Sequence, residues 1–226
     1  MNTTTWNGRI AGSPGSWGSA EAPLRILVDD ALTPLPLPAE LLPPETTGDH
    51  IALGPLGALG AQARLALLGF QHLNPHWDGI AIHCGAAATH WATLSAREVI
   101  HLSTSAAPAL ALALSQGEAG ASGPDEQAGD VRKALDAALD RPEKLLTLLG
   151  DLTRPAQIRA ALAGADVGAS RTLWLGQQAV LIGDGPLVGD YARALQAAHV
   201  PVILTDHTAL LQKGFEALAT RFAQPD

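Results

Sequence analysis

The chain has 226 residues, 47% apolar and 16% charged, and its 14 Lys and Arg against 22 Asp and Glu leave a formal charge of −8. That length and apolar content suit one large or two small packed domains and argue against a disordered chain. The acidic balance, with no basic block, argues against nucleic acid as the main partner, although a few local donors can still hold an anionic small molecule.

The first fifty residues read as irregular. Gly12-Ser13-Pro14-Gly15-Ser16 is a turn cluster and Arg25–Val28 a short strand. Thr33-Pro-Leu-Pro-Leu-Pro38 alternates Pro with Leu, which fits neither a helix nor a central strand, so an extended surface run is predicted, continuing through Pro43-Pro44 to Gly48. Ala58–Phe70 reads as an amphipathic helix with Leu59, Ala63, Ala66, Leu67 and Phe70 on one side. Ile80–Cys84 is a buried strand, and Trp91–Leu94 and Val99–Leu102 are two more, joined by a turn at Ser95–Glu98. Ala107–Gln116 reads as a helix and Glu118–Gly129 as a polar loop. Three helices follow: one capped by Asp130 and running to Leu139, one from Pro142 to Leu149, and one capped by Thr153 and running to Leu162. Strand Ala179–Ile182, turn Gly183–Pro186, helix Leu187–Ala198, strand Pro201–Leu204 and a helix capped by Asp206 and ending at Phe222 complete the chain. The strand–helix–strand–helix order predicts an α/β layer with a parallel pair. The abundance of Ala, Gly and Leu predicts closely packed helices.

A single cysteine, Cys84, excludes an intrachain disulfide framework and a cysteine-rich zinc site, and fits a reducing cytoplasm. The N-terminus lacks a charged region followed by an apolar run, so no signal peptide is expected. Apolar stretches break well before roughly 18 residues, so no membrane span is expected. Among eight histidines, His72 and His76 are separated by the helix-disfavouring Asn74-Pro75 step, and adjacent His83 and Cys84 point to opposite faces of a strand. No metal site is expected from them, and Cys84 reads as a buried structural thiol rather than a nucleophile. Gly15-Ser16-Trp17-Gly18 lacks the spacing of a nucleophile elbow, and no Gly-Lys-Ser or Gly-Lys-Thr phosphate loop occurs. Gly183-Asp184-Gly185-Pro186-Leu187 is the stronger candidate. Between a strand and a helix, glycines let backbone approach a ligand, and the helix start offers N–H donors; a tight turn without a ligand would have the same composition.

The C-terminal block carries a family resemblance. Gln177-Gln178-Ala-Val-Leu-Ile-Gly183-Asp-Gly-Pro-Leu187-Val-Gly-Asp-Tyr191-Ala-Arg-Ala-Leu195 resembles the adenosine-site segment of 2-dehydro-3-deoxygalactonokinases, where a strand is followed by Gly, Leu, Tyr and Leu or Phe at four-residue steps. Thr208-Ala209 and Gly214-Phe215 resemble the family's final helix, and Ala161–Gly168 its glycine-containing helix before the strand. Gly85-Ala-Ala-Ala-Thr89-His90-Trp91 lies where the family has Gly-Thr-His-Ser-Lys-Trp, followed by a similar stretch from Val99 to Leu110. Gly12-Ser13, Gly15-Ser16-Trp17 and Glu21-Ala22-Pro23 are similar to its segment near the sugar site.

The resemblance implies two ribonuclease-H-like lobes of the actin, Hsp70 and hexokinase superfamily, with ATP and Mg²⁺ between them, and phosphorylation of the 6-hydroxyl of 2-dehydro-3-deoxy-galactonate. It assigns Gly85, Thr89, His90, Gly183, Asp184, Gly185 and Leu187 to the nucleotide, and Gly12, Ser16 and Trp17 to the sugar acid. Several motif residues differ. The lysine of the second phosphate motif is missing. The family's Arg-Gly-Glu-Glu-Thr falls near Leu59–Ala63 and its later Thr-Gly-Glu on Ala107–Ala109, without their acids. The first phosphate hairpin is expected to lie ahead of where this chain starts.

Three readings stand. In an ATP-dependent sugar-acid kinase, a surviving acid such as Asp78, Asp49 or Asp184 would serve, although Asp78-Gly79 also reads as a plain turn. In a pseudokinase, the pockets bind without catalysis and regulate a partner. The chain can also be a mis-started or decayed frame of a longer kinase. The expected organisation is a reduced, loop-rich lobe over residues 1–74, short of strands, and a ribonuclease-H-like α/β lobe over residues 75–226. A sheet edge left open is expected to be blocked by Pro34–Pro38 or covered in a homodimer. The catalytic residue stays unassigned.

Overall fold

The computed structural model describes residues 5–44, 50–115 and 128–222. In chain order the strands are β1 (Trp6–Ile10), β2 (Ser16–Gly18), β3 (Leu24–Val28), β4 (Ala39–Glu40), β5 (His50–Leu53), β6 (Gly79–Cys84), β7 (Thr89–Ser95), β8 (Glu98–Ser105), β9 (Ala179–Gly183) and β10 (Val202–Leu204). The helices are α1 (Ala61–Leu73), α2 (Ala107–Leu114), α3 (Ala128–Asp140), α4 (Leu145–Asp151), α5 (Pro155–Ala169), α6 (Arg171–Trp174), α7 (Val188–Ala197) and α8 (His207–Phe222). They form two compact units, one of Met1–Asp78, Ala92–Leu102 and Asp206–Asp226, the other of Gly79–Trp91 and Ser103–Thr205. A single division near residue 75 does not describe this grouping, because α8 packs on α1 and the chain returns to the first unit for the tip of the β7–β8 hairpin.

The first unit contains a four-stranded sheet in the order β2-β1-β3-β5, which corrects the reading of this region as irregular and short of strands. β1 pairs antiparallel with β2, Gly8 opposite Trp17, and parallel with β3, Ile10 opposite Val28. β5 continues the parallel set, Leu53 opposite Val28. In β3, Leu24, Ile26 and Val28 are buried and Arg25 and Leu27 exposed, the period-two pattern of a half-buried strand. β1 has no such pattern: Trp-Asn-Gly-Arg-Ile is a strand because neighbours on both sides satisfy its backbone. Gly8 is needed there because a Cβ would meet the Phe215 ring at 2.5 Å. In the Pro-Leu segment Leu35 is bridged to Leu56 beyond the end of β5 and the chain bends at Leu37-Pro38; the end of the predicted extended run, at Gly48, lies outside the described residues.

α1 and α8 cross with their backbones in contact. A Cβ on Gly69 would overlap the Leu210 carbonyl, and one on Gly214 the Leu65 carbonyl. This makes a test in which propensity and packing have opposite signs. Helix propensity alone has Gly69→Ala stabilising by about 1 kcal/mol. Packing has it destabilising by about 1–3 kcal/mol, because the two helices must separate. Chemical denaturation should show a net loss; a net gain would refute the backbone contact.

The other sheet has six strands in the order β10-β9-β6-β7-β8-β4, with β4 antiparallel to β8, Ala39 opposite Val99. The short connections at residues 85–88 and 96–97 make β6, β7 and β8 an antiparallel meander. β9 then lies parallel to β6, Cys84 opposite Gly183, and β10 parallel to β9. β6 is buried along its whole length, which is why it is a continuous apolar run. The β7–β8 turn holds Ala96 and Arg97 at φ 48° and 74°, and Asp78 Oδ1 accepts the Ala96 N–H at 2.8 Å. α3 and α5 approach as closely as α1 and α8, since a Cβ on Gly164 would stand 2.5 Å from the Leu135 carbonyl oxygen.

Two caps differ from expectation. Asp130 lies inside the first turn of α3, and α5 starts at Pro155 behind Arg154, so Thr153 does not cap it. Proline at the first helical position needs no N–H partner and is preset in φ, which fixes the start. Asp206 does cap α8, accepting the Ala209 N–H at 2.8 Å. Asp49, Gln116 and the polar loop from Glu118 through Gln127 lie outside the described residues.

Candidate functional site

In the second unit, the loops that follow the parallel strands β6 and β9 meet. The Gly185 N–H donates to the Cys84 carbonyl at 3.1 Å, and the Gly85 N–H to the Ala88 carbonyl at 2.9 Å. Gly183 has φ 134° and its missing Cβ leaves room for the Cys84 carbonyl; Gly185 does the same for the Gly85 carbonyl. The glycines therefore have a structural reason independent of any ligand: they let two loops touch by backbone. The consequence is a short shelf at the carboxyl ends of two adjacent parallel strands, the usual position of ligands in α/β sheets. Ala86 and Ala87 are exposed on it, and so is Asp184.

The other nucleotide candidates face inward. Leu187 is fully buried and precedes the first turn of α7, so only its backbone reaches the shelf. Thr89 is also fully buried, its hydroxyl lying towards Cys84 and Tyr191. His90 Nδ1 is 3.0 Å from Thr104 Oγ1, and burial lowers the imidazole pKa, which favours the neutral ring. Burial pushes the Cys84 thiol up to about 11, as a structural cysteine requires.

Behind the shelf is a polar cluster that the sequence reading missed. Asp166 Oδ2 accepts the Trp91 indole N–H at 3.0 Å and the Tyr191 hydroxyl at 2.5 Å, tying β7 and α7 to α5. Burial raises the pKas of both Asp166 and Tyr191. The four-residue step from Leu187 to Tyr191 was legible, but nothing local pairs Tyr191 with a residue 25 positions earlier.

In the first unit, Gly12 lies just beyond the carboxyl end of β1, with φ 79° and open space around it. The Ala11 N–H donates to the Val28 carbonyl at 2.8 Å, so the ends of β1 and β3 are side by side. Ser16 is exposed opposite Arg9 near the same end. Trp17 is engaged in packing: its ring centroid is 5.3 Å from Phe215, which also stacks with Trp6 at 5.5 Å. Asp29 and Asp30 follow β3 at this edge. Asp29 Oδ1 accepts the Ala31 N–H at 2.9 Å, and Asp30 Oδ1 accepts the Ala61 N–H at 2.6 Å. Gly60, the residue ahead of α1, has no side chain to cap it, and Asp30 performs that office from thirty-one residues away. A carboxylate thus stands at the start of α1, where residues 61 and 62 carry none. The only sequence signal was an acidic pair directly after a strand.

Three antiparallel strands followed by two parallel ones, each reached through helices, define a ribonuclease-H-like fold. The profile of the 2-keto-3-deoxy-galactonokinase family matches residues 65–218, well over half of the chain, and the chain belongs to that family. A Sinorhizobium meliloti protein assigned as a 2-dehydro-3-deoxygalactonokinase superposes with a TM-score of 0.67 at 21% identity, over 89% of this chain and 80% of that one. Component A of (R)-2-hydroxyglutaryl-CoA dehydratase from Acidaminococcus fermentans gives a TM-score of 0.49 at 10% identity, over 77% of each chain. A comparison with curated proteins gives no match. Among the described residues, no helix is long and apolar enough to cross a membrane.

Proposed function

We propose that this chain is an ATP-dependent kinase of a 2-keto-3-deoxy sugar acid, acting on the 6-hydroxyl of 2-dehydro-3-deoxy-galactonate in the cytoplasm. The observation that carries the reading is the backbone shelf of the second unit, where Gly185 is hydrogen-bonded to Cys84 beside Gly85–Ala88. Its exposed backbone at Ala86 and Ala87 and its single carboxylate, Asp184, fit a nucleotide phosphate held by N–H groups. They also fit a Mg²⁺ that keeps most of its waters. When bound, Mg-ATP would supply the phosphoryl group and neutralise its charge. Gly12 and Ser16 mark the sugar-acid edge of the first unit, and we assign Asp30 to accept the proton of the substrate hydroxyl.

One observation favours the pseudokinase reading: neither Gly85–His90 nor Gly183–Leu187 contains Lys or Arg, and His90 is held towards neutrality. Phosphate charge would then rest on backbone donors and the metal alone. Isothermal titration separates the two. Mg-ATP heat followed by turnover heat on adding 2-dehydro-3-deoxy-galactonate supports the kinase. Binding of either ligand without turnover supports the pseudokinase, and binding of neither refutes both.

A further inference from the structure

The second unit has a cavity of about 460 Å³ that the nucleotide shelf does not use. It lies between the start of α2, the segment around Pro142–Leu145 and the C-terminal half of α5. Its volume is in the range of small-molecule sites. The walls are apolar, with Leu110, Leu145 and Leu162 among them, and the polar lining is Ser105, Glu143 and Asp166. Among the described residues, no Lys, Arg or His lines it.

Asp166 is the informative residue. Its hydrogen-bond donors, the Trp91 indole and the Tyr191 hydroxyl, are both neutral, and Ser105, also neutral, lines the same cavity. Neutral donors offset part of the desolvation of a carboxylate but provide no countercharge. Glu143, exposed on the 142–145 side, adds a second negative charge. An anion would be repelled, and a neutral apolar molecule would leave the carboxylates uncompensated. A cation with a short carbon body answers both features.

We propose that this cavity binds a small organic ammonium ion, its N–H groups towards Asp166 and Ser105 and its carbon chain against Leu110, Leu145 and Leu162. This inference does not depend on the kinase reading, since its ligand is a cation and its residues are separate from the shelf.

The indole N–H of Trp91, bonded to Asp166, is a built-in reporter. The test is an NMR titration of the full chain with n-butylammonium, n-butanol and butyrate at pH 8, the Trp91 signal being identified with Trp91→Phe. Butylammonium is expected to move that signal saturably and at least tenfold more tightly than butanol, with no saturation by butyrate. Because burial raises the Asp166 pKa, the preference for the amine should shrink as pH falls and the carboxylate protonates, Glu143 and Asp166 being the acids that line the cavity. Glu143→Gln, at an exposed position, should weaken amine binding two- to fivefold, and Asp166→Asn should abolish it. Equal binding of amine and alcohol overturns the proposal. So does a Trp91 signal unmoved by 50 mM amine, on the order of a millimolar site's saturation.

Discussion

Arg64→Ala is expected to destabilise the first unit by about 3–5 kcal/mol, the range seen when buried polar groups lose a charged partner. Arg64 is 1% exposed on α1 and faces no carboxylate among its hydrogen-bond partners. Its Nε donates to the Leu41 carbonyl at 2.8 Å and Nη1 to Gly54 at 3.0 Å; Nη2 donates to Glu40 at 3.2 Å and Leu42 at 2.9 Å. Burial lowers its pKa to about 10, so it stays charged at neutral pH. The guanidinium is the hub for the backbone of residues 40–42, which have no helix of their own and only β4 as regular structure. Truncation leaves four carbonyls without this donor and a cavity beneath them. Arg64→Lys should recover only part of the loss, since one ammonium cannot reproduce the planar fork. Equilibrium denaturation with urea checks this. A loss below about 1 kcal/mol for the alanine variant would mean that water or a shifted backbone replaces the guanidinium at little cost.

Asp30→Asn is expected to lower turnover by about 10²–10⁴-fold, the usual contribution of a general base, with little change in KM or melting temperature. The separation of effects comes from the geometry. Asparagine keeps an oxygen for the Ala61 N–H, which Asp30 now holds at 2.6 Å, so the start of α1 is preserved while the charge is lost. Asp30→Ala removes both and should also cost about 1 kcal/mol of stability through the lost cap. Steady-state kinetics together with thermal melts of both variants decide it. If Asp30→Asn turns over within threefold of the parent, Asp30 is a helix cap and the proton goes elsewhere. Absence of turnover in the parent would overturn the kinase reading and this role with it.

How far the sequence could be read depended on the range of the interactions. β6 and β9 were legible as apolar runs because both are buried on both faces. α1 was legible because one side of it is apolar at helical spacing. β1 was not, because its glycine and polar residues carry no alternation and its strand geometry comes from β2 and β3. The β7–β8 turn was placed correctly, yet its Ala96 and Arg97 conformations depend on Asp78, almost a full hairpin away. Arg64 was passed over inside an otherwise apolar stripe, although a lone charged residue at a buried helical position is itself a signal of an internal polar hub.

The candidate site divides in the same way. The sequence by itself determined the strand–helix order of the C-terminal elements and the glycine turn at Gly183–Gly185, which rest on residue spacing along the chain, and its resemblance to the family implied the ribonuclease-H-like fold. Only the tertiary structure decided why those glycines are needed: Gly85 and Cys84 put their carbonyls where side chains would stand. It also brought Asp30 to the start of α1 and turned Thr89 and Leu187 inward. The physical reason is that periodicity and turn chemistry act over a few residues and leave their mark in local sequence. Hydrogen bonds and backbone contacts across 25 or 31 residues leave none until the chain is folded.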